Sequence, residues 1–149
     1  MLATGQAHAD EMRERIARHR ADRAQRMPAL QTEEVPHALA DALRAASNPH
    51  QLVVVDCLTL WATNLLMPMH ADAMSAAAWQ SHCDELCGAV DAAQGPVVLV
   101  SNEIGMGTSP MSAEARRFID GLGELHQRLA ALCERVTLMV AGIEMEVKR

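Results

Sequence analysis

The chain has 149 residues, with 19 acidic and 13 basic side chains and a formal net charge of -6. That length is most simply one domain spanning 1–149, and it can bury a core without disulfide or metal staples. Half of the residues are apolar, which excludes a disordered acidic tail. The acidic balance argues against nonspecific nucleic-acid binding, and with Trp61, Trp79 and Phe118 as its whole aromatic set the chain does not suit base stacking. No apolar run reaches the length of a membrane span, and Met1–Gly5 does not read as a signal peptide. The expectation is a cytoplasmic protein whose Cys57, Cys83, Cys87 and Cys133 are reduced thiols.

In chain order, residues 9–26 read as a polar helix. Glu11–Arg15 and Glu14–Arg18 stand four residues apart with the acid on the favourable side. Met12, Ile16 and His19 share one face, so spacing alone reads His19 as a half-buried structural histidine. Arg18, Arg20 and Arg23 around it would favour a neutral imidazole and suit phosphate contacts. Pro28 ends this helix, and Pro36 opens a short one over 37–46. Leu52–Val55 then reads as a buried parallel strand ending in Asp56.

Residues 57–66 read as helix, 67–74 as a Met-rich loop, and 76–93 as an Ala-rich helix stopped by Gly95–Pro96. Cys83 and Cys87 share a face of that helix and read as core thiols, because no second pair sits at zinc-site spacing. Val97–Val100 is a second buried strand, followed by Ser101-Asn102-Glu103 and a loop with Gly105 and Gly107. Ser112 opens a long helix to about Glu134, and Val136–Val140 is a third strand closed by Ala141–Gly142. Short β-branched strands alternating with helices predict an α/β domain with a mainly parallel sheet. Ligands of such sheets bind outside the carboxyl ends of the strands, here Asp56, Ser101–Glu103 and Ala141–Gly142. Asp56 fits two roles there, a magnesium-holding acid opposite a nucleotide phosphate or a cap on the following helix.

Three stretches, Asp10–Arg20, Val55–Leu66 and Val98–Gly107, lie in an order that resembles a known family. This is the bifunctional adenosylcobinamide kinase/adenosylcobinamide-phosphate guanylyltransferase family of cobalamin biosynthesis. The resemblance runs from Ala3 to the C-terminus. It implies a P-loop NTPase-like (RecA-like) fold, often assembled as a homo-trimer. It also implies phosphorylation of adenosylcobinamide with GTP or ATP and Mg, then GMP transfer from GTP through a GMP-histidine intermediate. That histidine falls at His19. Nucleotide contacts fall at Ala3, Thr4, Gly5, Arg20, Ala21, Asp22, Arg23, Glu34 and Asp56, with Asp56 also placed to hold Mg directly or through water.

The sequence departs from the family at several points. It contains no Gly-x-x-x-x-Gly-Lys-Ser/Thr, and its one lysine is Lys148. The resemblance therefore implies a member without the first strand and phosphate loop, with weakened triphosphate affinity and an incomplete sheet. His126 stands where Asn is usual, and Thr108–Ser109 replaces an apolar pair. Two other readings of the residues remain: an oligomerisation module without catalysis, and a nucleotide-binding α/β module with unrelated chemistry.

Overall fold

The computed structural model describes residues 1–6, 10–69, 72 and 74–149. The predicted Glu11–Arg15 pair and the Met12 end of the predicted apolar stripe lie outside the described side chains. Eleven elements follow in order: β1 Leu2–Ala3, α1 Asp10–Arg26, β2 Glu33–Glu34, α2 Leu39–Ala46, β3 Val53–Asp56, α3 Leu58–Leu66, α4 Ala76–Asp91, β4 Val97–Val100, α5 Ala113–Leu132, β5 Val136–Val140 and β6 Ile143–Lys148.

The main sheet has the order β2-β1-β3-β4, and every pairing in it is parallel. A four-stranded parallel sheet with helices against it is the predicted α/β class. Each helix begins where its sequence allows. Ser75 caps α4 by accepting from Ala78 N at 3.2 Å, and Ser112 caps α5 by accepting from Ala115 N at 3.0 Å. Pro36 does not open α2 directly: a turn from Leu39 N to His37 O intervenes.

One apolar core joins the sheet to α2, α3, α4 and α5 through Leu39, Leu43, Trp61, Leu65, Leu86, Leu122 and Leu125. Trp61 and Trp79 meet inside it with ring centroids 5.4 Å apart. Val53 and Val55 point into the core and are buried. Here the prediction of strands covered on both faces is corrected. Val98 and Val100 of β4 point the other way and are 46% and 42% exposed. The reason is that the core gathers on one face, and among the described residues α1 is not packed closely against another element.

The second correction concerns residues 136–140. They form a strand, but not of the main sheet. β5 pairs antiparallel with β6 across Ala141–Gly142, both at positive φ (51° and 78°). That backbone is the tight two-residue hairpin geometry, which glycine enters without strain. β6 was not predicted, although Ile143, Met145 and Val147 alternate with Glu144, Glu146 and Lys148 at the period of a strand. β4 is left as an edge of the main sheet.

Candidate active site at the carboxyl edge of the sheet

The parallel register brings three resemblance-derived residues into one row. Ala3 pairs with Glu34 on one side and with Asp56 on the other. All three close their strands at the carboxyl edge, where ligands of such sheets bind. The row continues to Val100, the partner of Asp56, so Ser101 starts the chain just past it.

Thr4 follows Ala3 but turns inward and is fully buried. Its hydroxyl donates to Cys57 O at 2.6 Å and accepts from Cys57 N at 2.9 Å. That side chain clasps the ends of β1 and β3, and Thr4 N donates to Asp56 O at 3.0 Å, so Thr4 serves the corner and not a ligand. Asn64 of α3 secures the same corner, donating to Thr4 O at 2.8 Å and to Pro36 O at 3.0 Å. Gly5 is half-buried, and a Cβ there would meet a Leu60 methyl at 3.3 Å.

α1 carries His19, Arg20, Ala21, Asp22 and Arg23. The spacing-based reading of a half-buried His19 is corrected: His19 is exposed, because α1 is not packed down along its length. Its imidazole is therefore accessible as a nucleophile. Arg20 forms an ion pair with Glu34 of β2, which ties the middle of α1 to the carboxyl row. Arg23, four residues from His19 and so on the same helix face, is half-buried. Arg20, Arg23, Met27, Leu30 and Thr32 line a cavity of about 270 Å3 between the C-terminal half of α1 and the chain after it. It joins two guanidinium groups to an apolar wall.

A second cluster lies on the same edge, beyond Asp56. Ser101 Oγ is 2.6 Å from His126 Nε2 of α5 and 3.1 Å from Thr59 Oγ1 of α3. Thr59 Oγ1 also accepts from Asn102 N at 2.8 Å. The other imidazole nitrogen, Nδ1, is 3.9 Å from Glu103 Oε2. Burial lowers the His126 pKa below its ordinary value, with the Glu103 charge opposing that shift. The imidazole is therefore neutral at neutral pH. Sequence reasoning marked Ser101–Glu103 as a strand end and His126 as a departure, and it missed that they meet. Their spacing of 25 residues carries no periodic signal.

Among the described residues no three His, Cys, Asp or Glu side chains gather as a protein-only metal cage. Asp56, half-buried at the row, still suits a cation shared with a phosphate, because Mg2+ is commonly held by one or two carboxylates plus substrate oxygens. Lys148 is not a phosphate ligand: its Nζ donates to Ala130 O, Ala131 O and Cys133 O at 2.7–3.1 Å, closing the C-terminal end of α5. No helix among the described residues is long and apolar enough to cross a membrane.

Comparison with known proteins agrees with this geometry. Residues 1–147 match the family described as Cobinamide kinase / cobinamide phosphate guanyltransferase. The chain is 42% identical over 151 residues to the bifunctional adenosylcobalamin biosynthesis protein CobP of Pseudomonas aeruginosa, covering 99% of this chain and 80% of that one. It is 36% identical over 156 residues to the bifunctional adenosylcobalamin biosynthesis protein CobU of Escherichia coli, covering 99% and 84%. The counterpart from Salmonella typhimurium is 35% identical over 156 residues with the same coverage. With the parallel sheet and the carboxyl-edge row in place, these matches establish that the chain belongs to the cobinamide kinase / cobinamide phosphate guanyltransferase family, nucleotide-using enzymes of adenosylcobalamin biosynthesis.

Proposed function

We propose that His19 is the group that accepts GMP from GTP, and that Arg20 and Arg23 hold the phosphates while it attacks. The observation that carries this reading is the exposed His19 on a helix that is pinned to the carboxyl row by Arg20–Glu34 and whose next arginines, Arg20 and Arg23, line a cavity. An accessible imidazole flanked by guanidinium groups suits attack on a phosphorus, because the arginines offset the charge that builds on its oxygens. In this reading His19 Nε2 or Nδ1 bonds to the α-phosphorus and pyrophosphate leaves. The phosphate oxygen of adenosylcobinamide phosphate then displaces His19.

Asp56 would hold Mg2+, directly or through water, and that ion would neutralise phosphate charge. Ala3 and Gly5 would approach the nucleotide with their backbone, and Glu34 would meet it once Arg20 turns from the carboxylate toward phosphate. Ala21 and Asp22 complete the nucleotide-binding stretch on α1. The active form would be a homo-oligomer, with a trimer as the family's arrangement. The 149 residues hold no lysine-bearing phosphate loop, and Lys148 is engaged elsewhere. Guanylylation by these residues alone is therefore expected to be weak.

The test is incubation of the chain with magnesium and GTP labelled at the α-phosphate. Acid-labile, base-stable label that His19→Ala abolishes supports the reading. Label that survives His19→Ala overturns the His19 assignment. No label, followed by label after a strand–loop segment ending Gly-Lys-Ser is joined to the N-terminus, places the loss in the phosphate cradle. No label in either form, with self-association intact, favours the oligomerisation module.

A further inference from the structure

The Ser101–His126–Glu103 cluster is arranged to move a proton in one direction. Ser101 Oγ sits 2.6 Å from His126 Nε2, a hydrogen bond in which the hydroxyl donates when the imidazole carries its proton on Nδ1. That spends the serine's only proton. The 3.1 Å contact with Thr59 must then be donated by Thr59, whose oxygen already accepts from Asn102 N. His126 with a free Nε2 carries its proton on Nδ1, the nitrogen that faces Glu103. In that tautomer Thr59 donates to Ser101 and Ser101 to His126, and Nδ1–H faces the Glu103 carboxylate across 3.9 Å, an electrostatic contact longer than a hydrogen bond. The series begins at the carboxyl edge beside Asp56 and ends at Glu103, whose side chain is 41% exposed to solvent.

We propose that Ser101 takes the proton of the hydroxyl phosphorylated in the kinase step and passes its own to His126, with Glu103 steadying the imidazolium. This rests on the kinase half of the family activity. The balance is simple. The substrate oxygen forms its bond to the γ-phosphorus as the bond to the nucleoside diphosphate breaks, and the diphosphate keeps the electron pair. The substrate proton goes to Ser101 Oγ, and the serine proton goes to His126 Nε2. Ser101 is the catalytic contact, and His126 and Glu103 act through it as positioning residues. Of the other carboxylates of this edge, Glu34 is paired with Arg20 and Asp56 is assigned to the cation in the proposed function, so neither takes the proton.

The groups around His126 are few. Its helix neighbours Leu122, Gly123, Leu129 and Ala130 are neutral, and α3 presents the Thr59 hydroxyl to Ser101, while Thr63 donates back to Thr59 O. On α4, Asp84 is held by Arg128 at 2.5 Å. Glu103 is the charged group that acts on the ring.

Two measurements test the proposal. The first needs no turnover: nitrogen-15 NMR of His126, assigned with His126→Asn. The proposal requires the Nδ1–H tautomer above the imidazole pKa, and a lower pKa in Glu103→Gln. A ring protonated on Nε2 overturns it, as does a pKa that Glu103→Gln leaves unmoved. The second is the pH profile of adenosylcobinamide phosphorylation. The wild-type rate should fall as pH drops through the His126 pKa. His126→Asn keeps a hydrogen-bond acceptor near Ser101 but cannot take a proton, so it should flatten that limb and cost on the order of 10²-fold. Glu103→Gln should move the limb to lower pH. An unchanged profile in His126→Asn overturns the proposal. A chain that labels His19 from GTP but never phosphorylates overturns the proposal and leaves guanylyl transfer standing. A chain that does neither, as the absent phosphate loop allows, leaves the tautomer and the Glu103→Gln pKa response to decide the relay by themselves.

Discussion

Thr4 and Cys57 hold each other by two hydrogen bonds through one hydroxyl, at 2.6 and 2.9 Å, with Thr4 wholly buried. The clasp fixes the spacing between the ends of β1 and β3, the two strands that carry Ala3 and Asp56. Thr4→Val keeps the shape but strands the buried N–H of Cys57, while Cys57 O keeps its bond from Trp61 N at 3.1 Å. The expected loss is about 2–3 kcal/mol, read as a lower urea midpoint with an unchanged slope. Thr4→Ser should restore most of it.

His126 predicts a pH dependence of stability apart from any activity. Its folded pKa is lowered by burial, so below the ordinary imidazole range the unfolded chain binds more protons than the folded one. Its full contribution to stability is present above about pH 6.5. It is lost as pH falls from there through the folded pKa. His126→Asn should remove this slope between pH 7 and 5 in chemical denaturation.

Lys148 ties β6 to the end of α5 by three charge-assisted bonds to carbonyls. Lys148→Met keeps the apolar stem and removes the donors. The expected cost is about 1–2 kcal/mol, with faster amide exchange in β5 and β6 and little change in β3.

Cys83 is buried in α4, and burial pushes its thiol up to about 12. Cys87 and Cys133 are raised for the same reason. Since the thiolate is the reacting form, alkylation of the folded chain at pH 8 should leave Cys83 unlabelled. Urea should open it to the reagent, and labelling of Cys83 without denaturant would contradict this packing.

The sequence was most legible where one segment decides its own fate. Val53–Val55 is β-branched throughout, and Ser75 and Ser112 announce their helices, so β3, α4 and α5 fall where expected. β1 and β2 have two residues each, too few for any period to show. β5 was found but given the wrong partner, because pairing depends on what lies across a turn and not on the strand's own composition. The site divides in the same way. The resemblance supplied Ala3, Glu34 and Asp56, and the register sets them side by side. His126 could not be joined to Ser101 from sequence, since only the packing of α5 against α3 brings them together.

β4 ends the main sheet with Val98 and Val100 facing water. Its outer row of amides and carbonyls carries no lysine, proline or bulge to turn another strand away. On warming, such molecules will cross-seed, each edge templating the next, so shelf life will fall with concentration before the fold itself melts. A single gatekeeper charge at position 98 would lengthen that life without touching the core.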